Sequence, residues 1–133
     1  MLYLAGLKDD YVMDGRVLTE LLGGAGHPAG LQQLTTLGAC YKQLNASVGT
    51  FGTDTLLASS AALAGGSGGN DTAYVSTIAS LTSLAERRDP LATTIKNELD
   101  QAEFHATLPG RAAVQAQLDG CRKLLEEAAA LAT

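Results

Sequence analysis

A chain of 133 residues, 46% hydrophobic but with two Phe and no Trp, is long enough for one domain whose core must be built of small residues, chiefly Ala and Leu. Three Pro and little β-branched alternation favour close-packed helices over a sheet. A formal net charge of -5 and a pI near 4.8 argue against a nucleic acid or an anionic membrane as partner, since both want a basic face, and no apolar run approaches the roughly 20 residues that span a bilayer.

In chain order, Leu2, Tyr3 and Leu4 read as the last apolar turn of a helix stopped by Gly6. Lys8-Asp9-Asp10 follows in a loop, and Asp14-Gly15 makes a tight turn before the short amphipathic run Val17 to Leu22, which nucleates poorly alone. This stretch resembles the end of the catalytic domain in phosphatases, phosphodiesterases and sulfatases of the alkaline phosphatase superfamily. Many of them carry a "LxxLxGL" helix end, a variable acidic loop and "DGR" with a short apolar helix. The likeness covers about the first sixth of the chain, and only Asp14, Gly15 and Arg16 map onto the pattern, as a structural turn. The resemblance implies that the family's metal-binding Asp and His residues and its nucleophile lie upstream of the matched part. On that reading the polypeptide is the C-terminal piece of a larger hydrolase or the product of a truncated frame. Residues 1–22 are then the tail of a missing catalytic domain, Met1 is an internal or vector-supplied start, and an extracytoplasmic location is open.

Residues 23–30 are glycine-rich, cannot hold a helix, and read as a linker to a helical bundle over 31–133. From Leu31 the positions Leu34, Leu37, Tyr41, Leu44, Val48, Phe51, Thr55, Ala58 and Ala62 step by three and four, predicting one long helix. Gly49 and Gly52 beside this seam each cost about 1 kcal/mol against Ala, so a bend or a close helix contact is expected there, within a helix that continues. Gly65 to Gly69 ends that helix, and Asn70 or Asp71 can cap an antiparallel second one. Its seam runs Tyr74, Ile78, Leu81, Ala85, Arg88, Ala92, Ile95, Leu99, Ala102 and Ala106, with Arg88 the misfit and Pro90 a kink that does not restart the helix. After the turn Leu108-Pro109-Gly110, the stripe Val114, Leu118, Cys121, Leu125 and Ala128, flanked by Leu124 and Leu131, predicts a last helix on which Arg122 and Lys123 pair with Asp119, Glu126 and Glu127. The fold class is all-α: a long-helix hairpin plus a C-terminal helix, forming a three-helix bundle with a short N-terminal helical appendage.

No constellation in this chain carries chemistry. Asp9 and Asp10 are adjacent and point apart, and neither His27 nor His105 has ligands at zinc-like spacing. Gly65 to Gly69 lacks the Lys-Ser/Thr of a phosphate loop and follows a helix rather than a strand. Ser59 and Ser60 have no nearby base, and the sequons Asn45-Ala46-Ser47 and Asn70-Asp71-Thr72 are tripeptides frequent by chance, the first inside the long helix. No catalytic, cofactor-binding or metal-ligating residue is assigned. Cys40 and Cys121 leave two readings open, buried thiols or one disulfide. Counting rise along helices one and three puts both about 14 to 15 Å up, in one inward-facing layer. The functional expectation is a non-catalytic helical module of an alkaline-phosphatase-like hydrolase, serving packing, substrate access or oligomer contacts. Its partners would be the missing domain, another protein or a second copy. The alternative is a free-standing helical protein–protein interaction module.

Overall fold

Apolar residues at helical spacing leave the chain little choice but to pair helices, and it does so through four of them. The computed structural model describes residues 30–65, 71–105 and 107–133, which form α1 (Gly30–Asn45), α2 (Thr50–Gly65), α3 (Asp71–His105) and α4 (Arg111–Ala132), with no strand among them. The expected appendage and the linker up to residue 29, including Asp14, Gly15, Arg16 and His27, lie outside the described residues, as do 66–70 and Ala106, while Gly30, read as the linker's end, is the first residue of α1.

Helices α1 and α2 together make the first limb of the bundle. The guanidinium of Arg88 on α3 lies 5.3 Å from the centroid of the Phe51 ring on α2, and further along α3 Lys96 and Asp100 act electrostatically on Tyr41 of α1. The first limb and α3 are therefore antiparallel. Arg87 meets Glu127, while Gly120 lies close against Leu91, so α4 is also antiparallel to α3 and parallel to the first limb. The core cluster sits at mid-height: Leu37, Tyr41, Leu44, Phe51, Leu84, Ala92, Ile95, Leu124 and Ala128 around Cys40 and Cys121. Leu37, Leu44, Leu84 and Ile95 are fully buried, each contributing about 1.5–3 kcal/mol of transfer free energy.

The bend expected at Gly49 is an interruption of four residues, 46–49, so the long helix does not run on unbroken. Asn45 and Ser47 favour caps over helix interiors, and the chain folds tightly on itself just after them. A Cβ on Gly49 would stand 2.7 Å from the carbonyl oxygen of Gln43 and 2.8 Å from that of Lys42, so only glycine fits. The side-chain oxygen of Gln43 accepts hydrogen bonds from the backbone N–H of Thr50 at 2.9 Å and from its hydroxyl at 2.7 Å. It thus satisfies an orphan donor at the start of α2. Two sequence readings are corrected here. Val48, assigned to the seam, is 79% exposed because the bend rotates it away from the core, and Asn45 of the first sequon ends a helix instead of lying inside one.

Helix α3 runs continuously through Pro90. Just beyond it Thr93 donates its hydroxyl to the Asp89 carbonyl at 2.9 Å and Thr94 to that of Pro90 at 2.8 Å. The same habit recurs along both limbs of the hairpin, where Thr53, Thr55 and Ser59 of α2 and Thr77, Ser80 and Thr82 of α3 return their hydroxyls to carbonyls one turn back. The inward phase of α3 is set by Leu84, which the seam arithmetic passed over, while Tyr74, Ile78, Leu81 and Ala85 are half-buried. On α4 the buried stripe is Val114, Gln117, Cys121, Leu124 and Ala128, with Leu118 and Leu125 at its margins. Of the ion pairs expected there, Arg122–Asp119 is present at 3.9 Å, whereas Glu127 turns across to Arg87 of α3.

Because Glu127 stands beside Arg87, the end of α4 comes level with roughly residue 80 of α3, and the hairpin continues about 15 Å beyond it. No side chain between 59 and 65 or between 72 and 83 is fully buried. Among the described residues this upper section is a two-helix structure over which no third helix lies.

Candidate interaction surface

Cys40 and Cys121 are both buried and joined in a disulfide with Cα atoms 6.3 Å apart, tying the first helix to the last across the core. Around this tie the electrostatics are ordinary. Burial pushes the Tyr41 hydroxyl above its usual pKa, with Lys96 opposing and Asp100 adding to the rise. Burial also raises the Glu103 carboxyl, assisted by the charge of Asp100. The hydrogen bond from Arg87 holds Glu127 below the usual carboxylate range, against the effect of its partial desolvation. Gln117, 7% exposed, is a buried polar residue that hydrophobic periodicity could not flag, and its Oε1, like Glu98 Oε2, meets no protein donor.

Among the described residues no group of three His, Cys, Asp or Glu side chains could hold a metal ion. His105 is exposed at the last residue of α3. An open groove of about 610 Å³ between α3 and α4 is lined by Ser76, Ser80, Ser83, Arg87, Glu127 and Leu131 among others. Arg87, the one cation of its lining, is engaged by Glu127, and the Ser80 hydroxyl is given to the Ser76 carbonyl at 3.1 Å.

The surface that stands out is the outer side of α2. Its inner side, Phe51 and Ala58 with half-buried Thr55 and Ala62, packs on the bundle. Facing away are Leu56, 65% exposed, Leu57, 58%, and Leu63, 63%, together with exposed Thr53, Ser60, Ala61 and Ala64. From Thr55 to Ala85 the sequence holds one charged residue, Asp71. The ion pairs Arg87–Glu127, Arg88–Asp89, Lys96–Asp100 and Arg122–Asp119 all lie C-terminal to that stretch. A helix that carries leucines on its outer side, besides the apolar residues it buries inside, offers a second side to be covered. The signal was in the sequence as ten residues from Thr55 to Ala64 without a charge, masked there by the general wealth of Ala and Leu.

Among the described residues, fold and surface together define a disulfide-tied, all-helical bundle of three limbs with an uncovered apolar side on α2. No protein-family model, curated protein or solved structure matches the chain, and no described helix is long and apolar enough to cross a membrane.

Proposed function

We propose that the chain is a non-catalytic helical module of an alkaline-phosphatase-like ester hydrolase, whose task is to make packing or oligomer contacts for that enzyme. The observation that carries the contact-making role is the uncharged, leucine-bearing outer side of α2, which a helix with no partner would be expected to dress with Lys and Glu. The likeness of residues 2–22 to the end of a catalytic domain carries the attachment to a hydrolase. On this reading the ester-cleaving chemistry belongs to the parent domain, and the chain contributes a rigid, cross-linked surface. A free-standing interaction module would use the same surface and differ only in its genetic context. Reading the DNA upstream of Met1 in the same frame separates the two. An open frame that encodes metal-ligating Asp and His residues supports the hydrolase module; a stop codon followed by a ribosome-binding site refutes it and leaves the free-standing module.

A further inference from the structure

We infer that the outer side of α2 is a self-association surface, occupied by the same side of a second copy of this chain. The inference rests on the contact-making role proposed above and names its partner. Three observations carry it, beginning with spacing. Thr53, Leu56, Ser60 and Leu63 step by three and four along the exposed side, with Leu57 and Ala64 beside them, so α2 bears a second seam back to back with the one it uses inside. Thr53 and Ser60 are small enough to let a neighbouring helix come close, and the leucines between them supply the knobs.

The second observation is charge. Two copies of a chain with net charge -5 repel on balance, yet this seam has no ionisable side chain, and within α2 Asp54 on its margin is the one acid. A basic or acidic partner would find nothing here to pair with, and a membrane surface would find no cation to hold a phosphate. The chemistry that suits an uncharged seam of leucines and small residues is another such seam, and a two-fold pairing of identical patches supplies it.

The third is the two-helix section of the hairpin. Beyond the end of α4 no other described helix covers α2 and α3, and two hairpins laid α2 against α2 make a four-helix arrangement there. The seam from Thr53 to Ala64 is about 18 Å long, and a helix pair of that length buries on the order of 400–500 Å² per chain, about half of a standard interface. The association is accordingly weak and reversible.

Sedimentation equilibrium of the whole chain tests this. The mean mass should be 13.7 kDa at about 1 µM and climb toward twice that by about 200 µM, as a weak interface requires. The double variant Leu56→Glu, Leu63→Glu, altered only at exposed positions, should stay at the monomer mass throughout with unchanged helical circular dichroism. Should that variant lose helix, Ser60→Glu on the same seam is the replacement and should likewise abolish the rise. A wild-type chain monomeric over the whole range overturns the inference, as does a dimer indifferent to these substitutions. If, in a monomeric wild type, Leu56→Glu, Leu63→Glu lowers hydrogen-exchange protection within residues 2–22, the seam belongs to the chain's own leading segment and self-association is again refuted. None of these outcomes bears on the upstream reading frame, so the hydrolase assignment stands or falls separately.

Discussion

Cutting the Cys40–Cys121 bond should remove a large share of the stability of the fold. The bond spans a sequence separation of 81, and in the chain-entropy relation a loop of that size restricts the unfolded chain by about 4.5 kcal/mol at 25 °C. A domain of this length has roughly 5–15 kcal/mol in all. With a urea slope of about 1–3 kcal/mol per molar, the unfolding midpoint of the reduced protein should fall by about 2 M. The assay is urea denaturation followed by circular dichroism, with and without a phosphine reductant. The double variant Cys40→Ala, Cys121→Ala is run in parallel. Reduced wild type keeps both sulfur atoms in the core, so its loss measures the cross-link alone, and the further loss in the variant measures packing around two buried positions. A midpoint shift below about 0.3 M on reduction would refute the loop-entropy reasoning. Two free thiols in the denatured, unreduced protein would refute the bond itself.

Gly49→Ala should destabilise by about 1–3 kcal/mol, because the new methyl would meet the carbonyl oxygens of Gln43, Lys42 and Ala46 at 2.7 to 2.9 Å. Gly65→Ala, with nothing within 4 Å, should be neutral or slightly stabilising, and equal effects at the two sites in thermal denaturation would contradict the steric account. Gln117→Met should stabilise by about 1 kcal/mol, since it replaces a buried side chain whose Oε1 has no donor by an apolar one of similar length. A loss of stability in urea would show that the amide holds something there. Glu127→Gln probes the pair with Arg87. The lowered carboxyl pKa makes the pair's contribution present above the ordinary value of 4.5 and lost as the pH falls through the lowered one. Wild type should therefore exceed the variant in denaturant midpoint at pH 7 and match it at pH 2, and a gap that persists in acid would contradict the assignment.

Much of this architecture could be read from residue spacing, for definable reasons. Helical seams are legible because burial repeats every three to four residues, and the shared layer of Cys40 and Cys121 followed from counting a constant rise along helices that run in parallel. The failures sit where that arithmetic loses its premise. Val48 falls inside only if the count is carried straight through a bend that the chain in fact makes. Leu84 escapes the seam because Leu81 and Ala85 offer an equally regular step, and only the packing of the other helices decides between the two phases. Gln117 was invisible to any hydrophobic pattern, and so was Gln43, whose side chain starts α2 from the preceding helix. The outer seam of α2 was legible and went unread: in a sequence this rich in Ala and Leu, the telling feature was missing charge rather than added apolarity.

The hydroxyls turned back onto α2 and α3 give this surface an unusual relation to water. A threonine or serine on an exposed helix ordinarily holds a hydration shell that must be stripped before anything else can lie against it. Here exposed Thr53 donates to the Gly49 carbonyl at 3.2 Å and exposed Thr82 to that of Ile78 at 2.9 Å, so the one proton each hydroxyl could give to water is already engaged. Covering such a hydroxyl leaves its donated bond in place inside its own helix, and only the oxygen's lone pairs have water to give up.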